Sequence, residues 1–474
     1  MAENHRENYR DNAREPATRL WAPRAWIEGR WFDAVLLEVA ADGTWARVTP
    51  EATRTVGMHV LDGPALPGLV NAHSHAFQRA FAGLAERRDA ARDDFWSWRD
   101  RMYRVALAIG VEQLEAVATQ LYVELLRGGY TQVCEFHYLH HAPDGAHAGD
   151  DLAMARALVR AATRAGIGLT LLPVLYERAG FAQPALRDDQ RRFASTADDV
   201  LRWRDAVRAL GAPRIGAGVA IHSLRAARRE SIVELVRRCK GDAGPIHVHV
   251  AEQTAEVDDC VAATAERPIG WLAQHIGLDA RWQLVHATHA QRAEIEAVAR
   301  SGAGIVLCPS TEANLGDGLC DLPGWLGSEV PIAIGSDSHV TRAWREELRL
   351  LDYGQRLALR RRNVSAAPER AQPSTAQRLF DAACAGGARA AGFSRWGLQP
   401  GAPADLLVID TADAALLGVP PEALLDALVF SSPGRPLRDV MVAGRWVHRA
   451  HGRSDAAAIA GAFVQAMHRL HAGA

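Results

Sequence analysis

A pair of histidines separated by one residue is the first feature of this sequence that could do chemistry. His73 and His75 end an apolar stretch that contains Pro67 and Gly68. Residues two apart on an extended strand point to the same face, so both imidazoles can reach one point. Histidines placed in this way are typical ligands of zinc and related metals. The pair, followed by a predicted polar loop, therefore indicates a metal site at the end of a strand.

Later apolar runs end in further residues that bind metal ions. His249 and Asp337 each follow such a run. With the two earlier histidines they would supply three nitrogens and one oxygen, a set that suits one divalent ion per chain and leaves a position for water. Zn2+ is the expected ion, although iron or manganese would accept the same set. The predicted metal ligands are His73, His75, His249 and Asp337.

Two more side chains near these positions could move protons. Zinc lowers the pKa of a bound water to about 7, which makes hydroxide available at neutral pH. Glu252 lies three residues after His249, where its carboxylate could shuttle protons. His286 could take a proton from the water or hold the developing oxyanion. The sequence therefore predicts hydrolytic chemistry.

The elements that carry these residues repeat in a regular order. Apolar runs of strand length alternate with segments of helical periodicity, such as 110–129. Eight such strands predict a (β/α)8 TIM barrel, whose sites lie at the carboxyl ends of the strands. The eight predicted strands lie within 65–75, 131–139, 169–177, 215–224, 246–253, 282–289, 304–311 and 332–339.

Short β-type segments flank the predicted barrel on both sides. Residues 20–67 contain such runs, and the pattern returns after residue 394, with a hairpin predicted at Ala443 and Gly444. We therefore expect an α/β protein with a barrel at 65–394. A small composite β-sandwich would form from residues 1–64 and 395–450, and an amphipathic helix would occupy 451–474.

Composition and charge exclude several classes of protein. A net charge of -2 and a pI near 6.8 give no electrostatic basis for binding nucleic acid or an anionic membrane. The six cysteines lack CxxC spacing, which argues against a disulfide framework or a thiolate zinc site. Neither a signal-peptide pattern nor a run of eighteen uncharged apolar residues is present. A soluble cytoplasmic protein is expected.

The strand-end residues resemble the pattern of the amidohydrolase superfamily, and the similarity extends over nearly the whole chain. Members with two metals usually bridge them through a carboxylated lysine at the end of strand four. The only lysine here is Lys240, in the helix predicted after that strand. The resemblance therefore implies the mononuclear branch. The residues that match the superfamily are His73, His75, His249, His286 and Asp337, with Glu252 completing the HxxE typical of deaminases.

Within that branch the chain is similar to the deiminases of N-formimino-L-glutamate in histidine degradation. The stretches that carry this similarity are AHSHAFQRAFAGL, FWSWRDRMY, AIHSLRA, HVHVAEQ, VHATH and GSDSHV. The resemblance implies a homodimer and a small substrate with two carboxylates, which arginine forks bind well. It also implies that Asp337 assists His286 in taking the proton and that Glu252 protonates the leaving nitrogen. The implied substrate contacts are Gln78, Arg99, Tyr138, His222 and Arg225.

Two alternatives stay open from the sequence. A mononuclear deaminase of a purine or pyrimidine would present aromatic and amide groups to a flat ring, and Trp96 and Trp98 are consistent with it. An inactive scaffold could keep the barrel for protein interaction, although such scaffolds usually lose a metal ligand.

Overall fold

The computed structural model of the protein describes residues 19–88, 95–145 and 151–472. Two sheets organise these residues, one a parallel barrel and the other a smaller sheet built from both ends of the chain. The strands are β1 (Arg19–Ile27), β2 (Arg30–Val39), β3 (Trp45–Thr49), β4 (His59–Val60), β5 (Ala65–Pro67), β6 (Leu69–Ser74), β7 (Tyr130–His137), β8 (Gly168–Leu175), β9 (Ile215–Ala217), β10 (Val219–Ile221), β11 (Ile246–Val250), β12 (Trp282–His286), β13 (Gly304–Leu307), β14 (Ile332–Ile334), β15 (Leu406–Ile409), β16 (Leu437–Val442) and β17 (Arg445–His448).

Helices cover the outside of the barrel and connect its strands. They are α1 (Phe95–Ala108), α2 (Val111–Arg127), α3 (Ala153–Ala165), α4 (Ala197–Ala209), α5 (Arg229–Arg238), α6 (Thr254–Thr264), α7 (Pro268–His275), α8 (Arg292–Ser301), α9 (Pro309–Leu315), α10 (Leu322–Gly327), α11 (Trp344–Leu359), α12 (Thr375–Ala390), α13 (Leu424–Phe430) and α14 (Ala456–His471). Short 3-10 helices occupy Ala76–Ala80, Asp188–Phe193, Pro368–Arg370 and Pro421–Ala423. In the described part of the chain, no helix combines the length and apolarity that crossing a membrane requires.

The barrel strands follow one another in chain order. β6, β7, β8, β10, β11, β12, β13 and β14 are parallel neighbours, and β9 adds to β8 at the start of the fourth strand. A parallel bridge between Ser74 and Asp337 joins the last strand to the first. Carbonyls at the end of α12 accept hydrogen bonds from His247 and Thr170 inside the barrel. The predicted (β/α)8 barrel is therefore confirmed, and its first and last strands meet beside the predicted metal ligands.

The second sheet also contains a strand that precedes the barrel directly. Its strand order is β17, β16, β15, β5, β1, β2 and β3, with β4 paired to β1. The extended stretch predicted at 65–75 is divided here, because β5 pairs with β1 and β15 whereas β6 belongs to the barrel. Gly68 lies between β5 and β6 and lets the chain cross from one sheet to the other, because a Cβ at this position would lie 2.2 Å from Thr131 Oγ1. A second sheet domain from both chain ends is thus present, and the predicted hairpin at Ala443 and Gly444 joins β16 to β17.

Two local expectations differ from the structure. The run from Gln78 to Asp89 is predicted as a polar loop, but its first three residues belong to the 3-10 helix Ala76–Ala80, in which Phe77 and Gln78 are buried. Asp89 lies outside the described residues. Packing of Phe77 in the core outweighs the polar character of its neighbours. Lys240 lies just beyond the end of α5 rather than inside the helix, and it is exposed.

Side-chain hydrogen bonds fix the small sheet to the barrel. Trp26 Nε1 donates to Asp381 Oδ1 of α12 at 2.8 Å, and Trp396 Nε1 donates to the Gly68 carbonyl at 2.7 Å. Arg214, which precedes β9, pairs with the buried carboxylate of Asp405 at 2.8 Å. Apolar packing joins the two sheets as well, because Trp26, Leu66 and Leu407 of the small sheet belong to the same hydrophobic cluster as the barrel residues. A second hydrophobic cluster lies within the small sheet. The polar contacts therefore add to a shared apolar interface.

Burial raises the pKa of Asp381 to about 6, although the hydrogen bond from Trp26 opposes the shift. The unfolded chain, with the ordinary value of 3.8, loses this proton at lower pH than the folded protein. Stability contributed by the protonated group is therefore present below about pH 4 and is lost as the pH rises through about 6.

Asp381→Asn keeps the oxygen that accepts from Trp26 and removes the charge. We expect the free energy of unfolding to rise by about 1–2 kcal/mol near pH 7.5 and by less near pH 5. Urea unfolding at both pH values measures the effect. Asp258→Asn, at an exposed position of α6, is the control and should change little. A gain that is equal at both pH values would contradict this account.

Candidate active site

Four predicted ligands meet at the carboxyl end of the barrel. His73 Nε2 lies 3.1 Å from His75 Nε2, 2.9 Å from His249 Nε2 and 3.4 Å from Asp337 Oδ1. His75 Nε2 lies 3.3 Å from the same oxygen of Asp337. Ligands of a tetrahedral ion with bonds of about 2.0–2.1 Å stand roughly 3.3 Å apart. The donor atoms of His73, His75 and Asp337 therefore have the spacing of ligands to one divalent metal ion, and His249 Nε2 lies beside His73 in a second group with His286.

Backbone carbonyls set the tautomer of two of the histidines. His75 Nδ1 donates to the Phe136 carbonyl at 3.0 Å, and His249 Nδ1 donates to the His222 carbonyl at 2.9 Å. A proton on Nδ1 leaves the lone pair of Nε2 free for a metal. Burial, followed by repulsion from neighbouring histidines, lowers the pKa of His73 and of His249 well below the usual range. These imidazoles are therefore held in the neutral form that ligates metal ions.

Close contact between the first and eighth strands positions Asp337. Its N–H donates to the His73 carbonyl at 3.0 Å, and its carbonyl accepts from the His75 N–H at 3.3 Å. Gly335 permits this approach, because a Cβ there would lie 2.7 Å from the Cβ of His73. Asp337 itself has a φ of 46°, a left-handed conformation that aspartate tolerates better than most residues. The contact between the first and eighth strands therefore closes the barrel and also brings the predicted ligands together.

His286 stands between three carboxylates. Its Nε2 lies 3.6 Å from Glu252 Oε1 and 3.8 Å from Asp337 Oδ2, and its Nδ1 lies 3.3 Å from Glu312 Oε1. Burial disfavours the imidazolium, but these carboxylates outweigh it and raise the pKa of His286 to about 10. A divalent cation on the adjacent ligands would oppose that shift, since like charges repel. This arrangement suits proton transfer at the edge of the predicted metal site.

Glu252 has the properties of a group that holds and releases a proton near neutrality. Burial, opposed by the charge of His286, raises the pKa of Glu252 to about 7. Its backbone N–H and that of Ala251 donate to the carboxylate of Glu256 at 3.0 and 3.2 Å. Those contacts fix the backbone just after β11. Glu252 is thus presented to the pocket by a rigid turn.

The predicted substrate contacts lie around one pocket that also contains the predicted catalytic residues. Gln78 Nε2 donates to Tyr138 Oη at 3.1 Å, and the Tyr138 ring packs against His75 with centroids 5.0 Å apart. His73 lies deeper and is fully buried. The predicted residues that line the pocket are His75, Gln78, Arg99, Tyr138, His222, Arg225, His249, Glu252, His286 and Asp337.

Two arginines give one wall of the pocket a positive potential. Burial lowers the pKa of Arg99, and the nearby charge of Arg225 lowers it further. The pKa of His222 is also lowered, by burial first and then by Arg225 and Arg99. Two cations at one buried wall repel each other unless an anion lies between them. The pocket therefore joins a cationic wall to a site rich in carboxylates.

Several residues of the site were not anticipated from the sequence. Glu312 orients His286 and also accepts the Cys308 N–H at 2.8 Å, and its position just after β13 is the signal that could have found it. Tyr103 follows Arg99 by four residues, a spacing that places both on one face of α1. Tyr176 follows β8 directly. Trp98 lines the pocket, whereas the side chain of Trp96 lies outside the described residues.

Comparison with known proteins identifies the family to which this chain belongs. The sequence profile of the amidohydrolase family matches residues 65–447 of this chain. The chain belongs to the amidohydrolase family. The superfamily predicted from the strand-end histidines is therefore confirmed, as is the prediction that the protein is an enzyme, a hydrolase of C–N bonds.

Individual relatives span nearly the full length of this amidohydrolase. It is 46% identical over 452 residues to the formimidoylglutamate deiminase of Pseudomonas aeruginosa, covering 95% of this chain and 99% of that protein. It is 28% identical to the 5-methylthioadenosine/S-adenosylhomocysteine deaminase of Natronomonas pharaonis, covering 86% and 87%. The solved structure of an amidohydrolase from Brucella melitensis matches with a TM-score of 0.90 and 39% identity, covering 96% and 99%.

A matched pair of histidines on β11 tests the predicted metal set. His249→Asn removes one ligand, so we expect bound zinc to fall from about one ion per chain to less than about a tenth of that after dialysis. His247→Asn is the control, because His247 is also buried on β11 but donates to the Ala390 carbonyl at 2.8 Å. Elemental analysis of the purified variants measures the metal. Equal metal loss in both variants would argue against His249 as a ligand.

Proposed function

We propose that this amidohydrolase hydrolyses N-formimino-L-glutamate to N-formyl-L-glutamate and ammonia, a step of histidine degradation. The observation that carries the proposal is the pair of arginines, Arg99 and Arg225, on the wall of the pocket that contains the metal-ligand set. A substrate with two carboxylates and a basic amidine matches this division of charge. The 46% identity to a formimidoylglutamate deiminase supports the same substrate.

The cofactor proposed is one divalent ion per subunit, with Zn2+ as the expected metal. It would be held by His73, His75, His249 and Asp337. The donor atoms of His73, His75 and Asp337 have the spacing of ligands to one tetrahedral ion, and His249 Nε2 lies 2.9 Å from His73 Nε2. When bound, such an ion acidifies a water molecule and polarises the carbon–nitrogen bond that it contacts.

The catalytic roles are assigned to residues that contact one another around this position. His286 takes a proton from the attacking water while the oxygen of that water bonds to the formimino carbon. Asp337 Oδ2 lies 3.8 Å from His286 Nε2 and assists this transfer. Glu252 then gives a proton to the nitrogen that will leave. The hydroxyl of the tetrahedral intermediate returns a proton to Glu252 as the formyl carbonyl forms, the carbon–nitrogen bond breaks, and ammonia leaves. Glu252 and His286 are 3.6 Å apart, so protons can be shared between them.

The roles proposed for substrate binding follow the division of the pocket. Arg99 and Arg225 bind the glutamate carboxylates through bidentate contacts. Gln78, Tyr138 and His222 orient the amidine end, next to the metal ligands. A cationic amidine faces the carboxylates of Glu252 and Asp337, while the anionic end faces the arginines.

Assembly and location are proposed on the same resemblance. We propose a homodimer in the cytoplasm. Light scattering of the purified protein at several concentrations tests the first part, and a mass near twice 51.4 kDa is expected.

Ammonia release tests the substrate directly. Zinc-loaded protein should release ammonia rapidly from N-formimino-L-glutamate and at least about a hundredfold more slowly from S-adenosylhomocysteine, adenosine and guanine. The reason is that adenosine and guanine have no carboxylate for Arg99 and Arg225 to bind, and S-adenosylhomocysteine has only one, next to an ammonium group. Activity on the ring compounds alone would establish a heteroaromatic deaminase instead.

Charge removal on α1 tests the arginine wall. Arg99→Gln should raise the KM for N-formimino-L-glutamate about 30-fold or more, because a charged contact to a carboxylate is lost. Arg104→Gln, at an exposed position of the same helix, is the control and should leave KM unchanged within about twofold. Steady-state kinetics gives both values. An unchanged KM in the Arg99 variant would remove this residue from substrate binding.

His286→Asn tests the proton acceptor. The variant should lose at least about a thousandfold in kcat, because it lacks the imidazole that accepts the proton. Its metal content should match that of the wild type, since His286 is outside the proposed ligand set. Turnover near the wild-type rate would exclude His286 as the base.

A further inference from the structure

Three polar side chains that the proposed mechanism does not use form a hydrogen-bonded cluster at the pocket. Tyr103 lies on α1, Tyr176 follows β8, and Gln190 lies in the 3-10 helix Asp188–Phe193. Gln190 Nε2 lies 2.9 Å from Tyr176 Oη and 3.2 Å from Tyr103 Oη. All three residues are at most 4% exposed, and both tyrosines line the pocket. Separate elements therefore bring two hydroxyls to one place on its wall.

The contacts of Gln190 determine the direction of these hydrogen bonds. Gln190 Oε1 accepts the Arg187 N–H at 3.1 Å, which turns the amide nitrogen towards the tyrosines. That nitrogen can only donate, so each phenol oxygen accepts one hydrogen bond and keeps its own hydrogen for another acceptor.

Counting these hydrogens leaves at least one donor for the pocket. At most one of the two phenol hydrogens can be used in a contact between the phenols themselves. In the described part of the chain, no carboxylate or backbone carbonyl accepts the other. A buried hydroxyl hydrogen without an acceptor is costly, and an incoming anion would satisfy it.

The charges around the cluster indicate which ligand atom this donor meets. The Arg99 guanidinium carbon lies 5.5 Å from the ring centre of Tyr103, and the charges of Arg99 and Arg225 both act on Tyr176. A carboxylate held by an arginine fork still has lone pairs for a third donor. A neutral hydroxyl beside the arginine supplies this donor without adding to the repulsion between cations.

We propose that Tyr103 and Tyr176, oriented by Gln190, bind the substrate carboxylate that Arg99 holds. The inference rests on the proposed function and assigns three further residues to substrate recognition. The tyrosines contact the substrate, and Gln190 is a positioning residue that acts through them. The cluster selects a dicarboxylate over a substrate in which that carboxylate is absent.

Phenylalanine variants test the two hydroxyls. Tyr103→Phe, Tyr176→Phe and the double variant preserve ring packing, and each is assayed with N-formimino-L-glutamate. Two monoacids are assayed beside it, 4-formimidamidobutanoate and 2-formimidamidobutanoate, each of which lacks one carboxylate. The double variant should raise KM for the full substrate about tenfold or more and change kcat by less than about threefold. For one of the two monoacids, the wild type and the double variant should have equal KM, because the carboxylate that the cluster binds is missing.

Gln190→Glu tests the positioning role with nearly the same shape. The carboxylate still accepts from Arg187 N–H, but its second oxygen accepts the phenol hydrogens and turns them away from the substrate. We expect KM to rise at least as much as in the double phenylalanine variant, with metal content and kcat retained. Thermal unfolding shows whether the Gln190→Glu variant folds with its buried charge. If it does not fold, the phenylalanine variants alone test whether the tyrosines bind the carboxylate.

The possible results separate this inference from the proposed function. A wild-type protein that does not hydrolyse N-formimino-L-glutamate overturns the proposed function. An active wild type whose phenylalanine variants keep its KM overturns only the tyrosine site. Equal increases in KM for the full substrate and both monoacids would also overturn it, because they indicate a general disturbance of the pocket.

Discussion

Contact between the first and last strands of the barrel is the constraint on which the site depends. Asp337 exchanges backbone hydrogen bonds with His73 and His75, and Gly335 removes the side chain that would keep these strands apart. The same contact brings a carboxylate oxygen within 3.4 Å of two imidazole nitrogens. Because burial keeps the histidines neutral, the cluster is ready to bind a cation without first releasing protons. The contact that closes the barrel therefore also assembles the proposed metal centre.

The charged side chains of the pocket separate into two groups. Glu252, Glu312 and Asp337 surround His286 on one side, and Arg99 and Arg225 lie on the other. Water exclusion strengthens both groups, since these residues are mostly buried. A molecule with a basic end and an acidic end has one favoured orientation between them. Orientation is thus determined by long-range charge as well as by individual contacts.

Periodicity in the sequence was sufficient to predict the barrel and to show which polar residues end its strands, among them those proposed as metal ligands. Strands buried on both faces are apolar runs of recognisable length, and a polar residue that ends such a run is conspicuous, as at His249 and Asp337. Contacts between distant segments could not be predicted in this way. Gln190 meets Tyr103 across 87 residues, and no local pattern indicates that these two residues are in contact. Burial of the turn after His75 was missed because it depends on tertiary packing around Phe77.

The last helix of the chain supports one of the first loops of the site. His471 donates to the Ala80 carbonyl at 3.0 Å, and Arg79 lies 4.9 Å from the ring centre of Phe463 in α14. This contact backs the turn that carries Gln78. The two partners of this hydrogen bond are 391 residues apart along the chain. Folding of the amino-terminal strands alone therefore cannot complete the pocket, and a folding intermediate in which α14 is not yet docked would present the turn of Gln78 without its support.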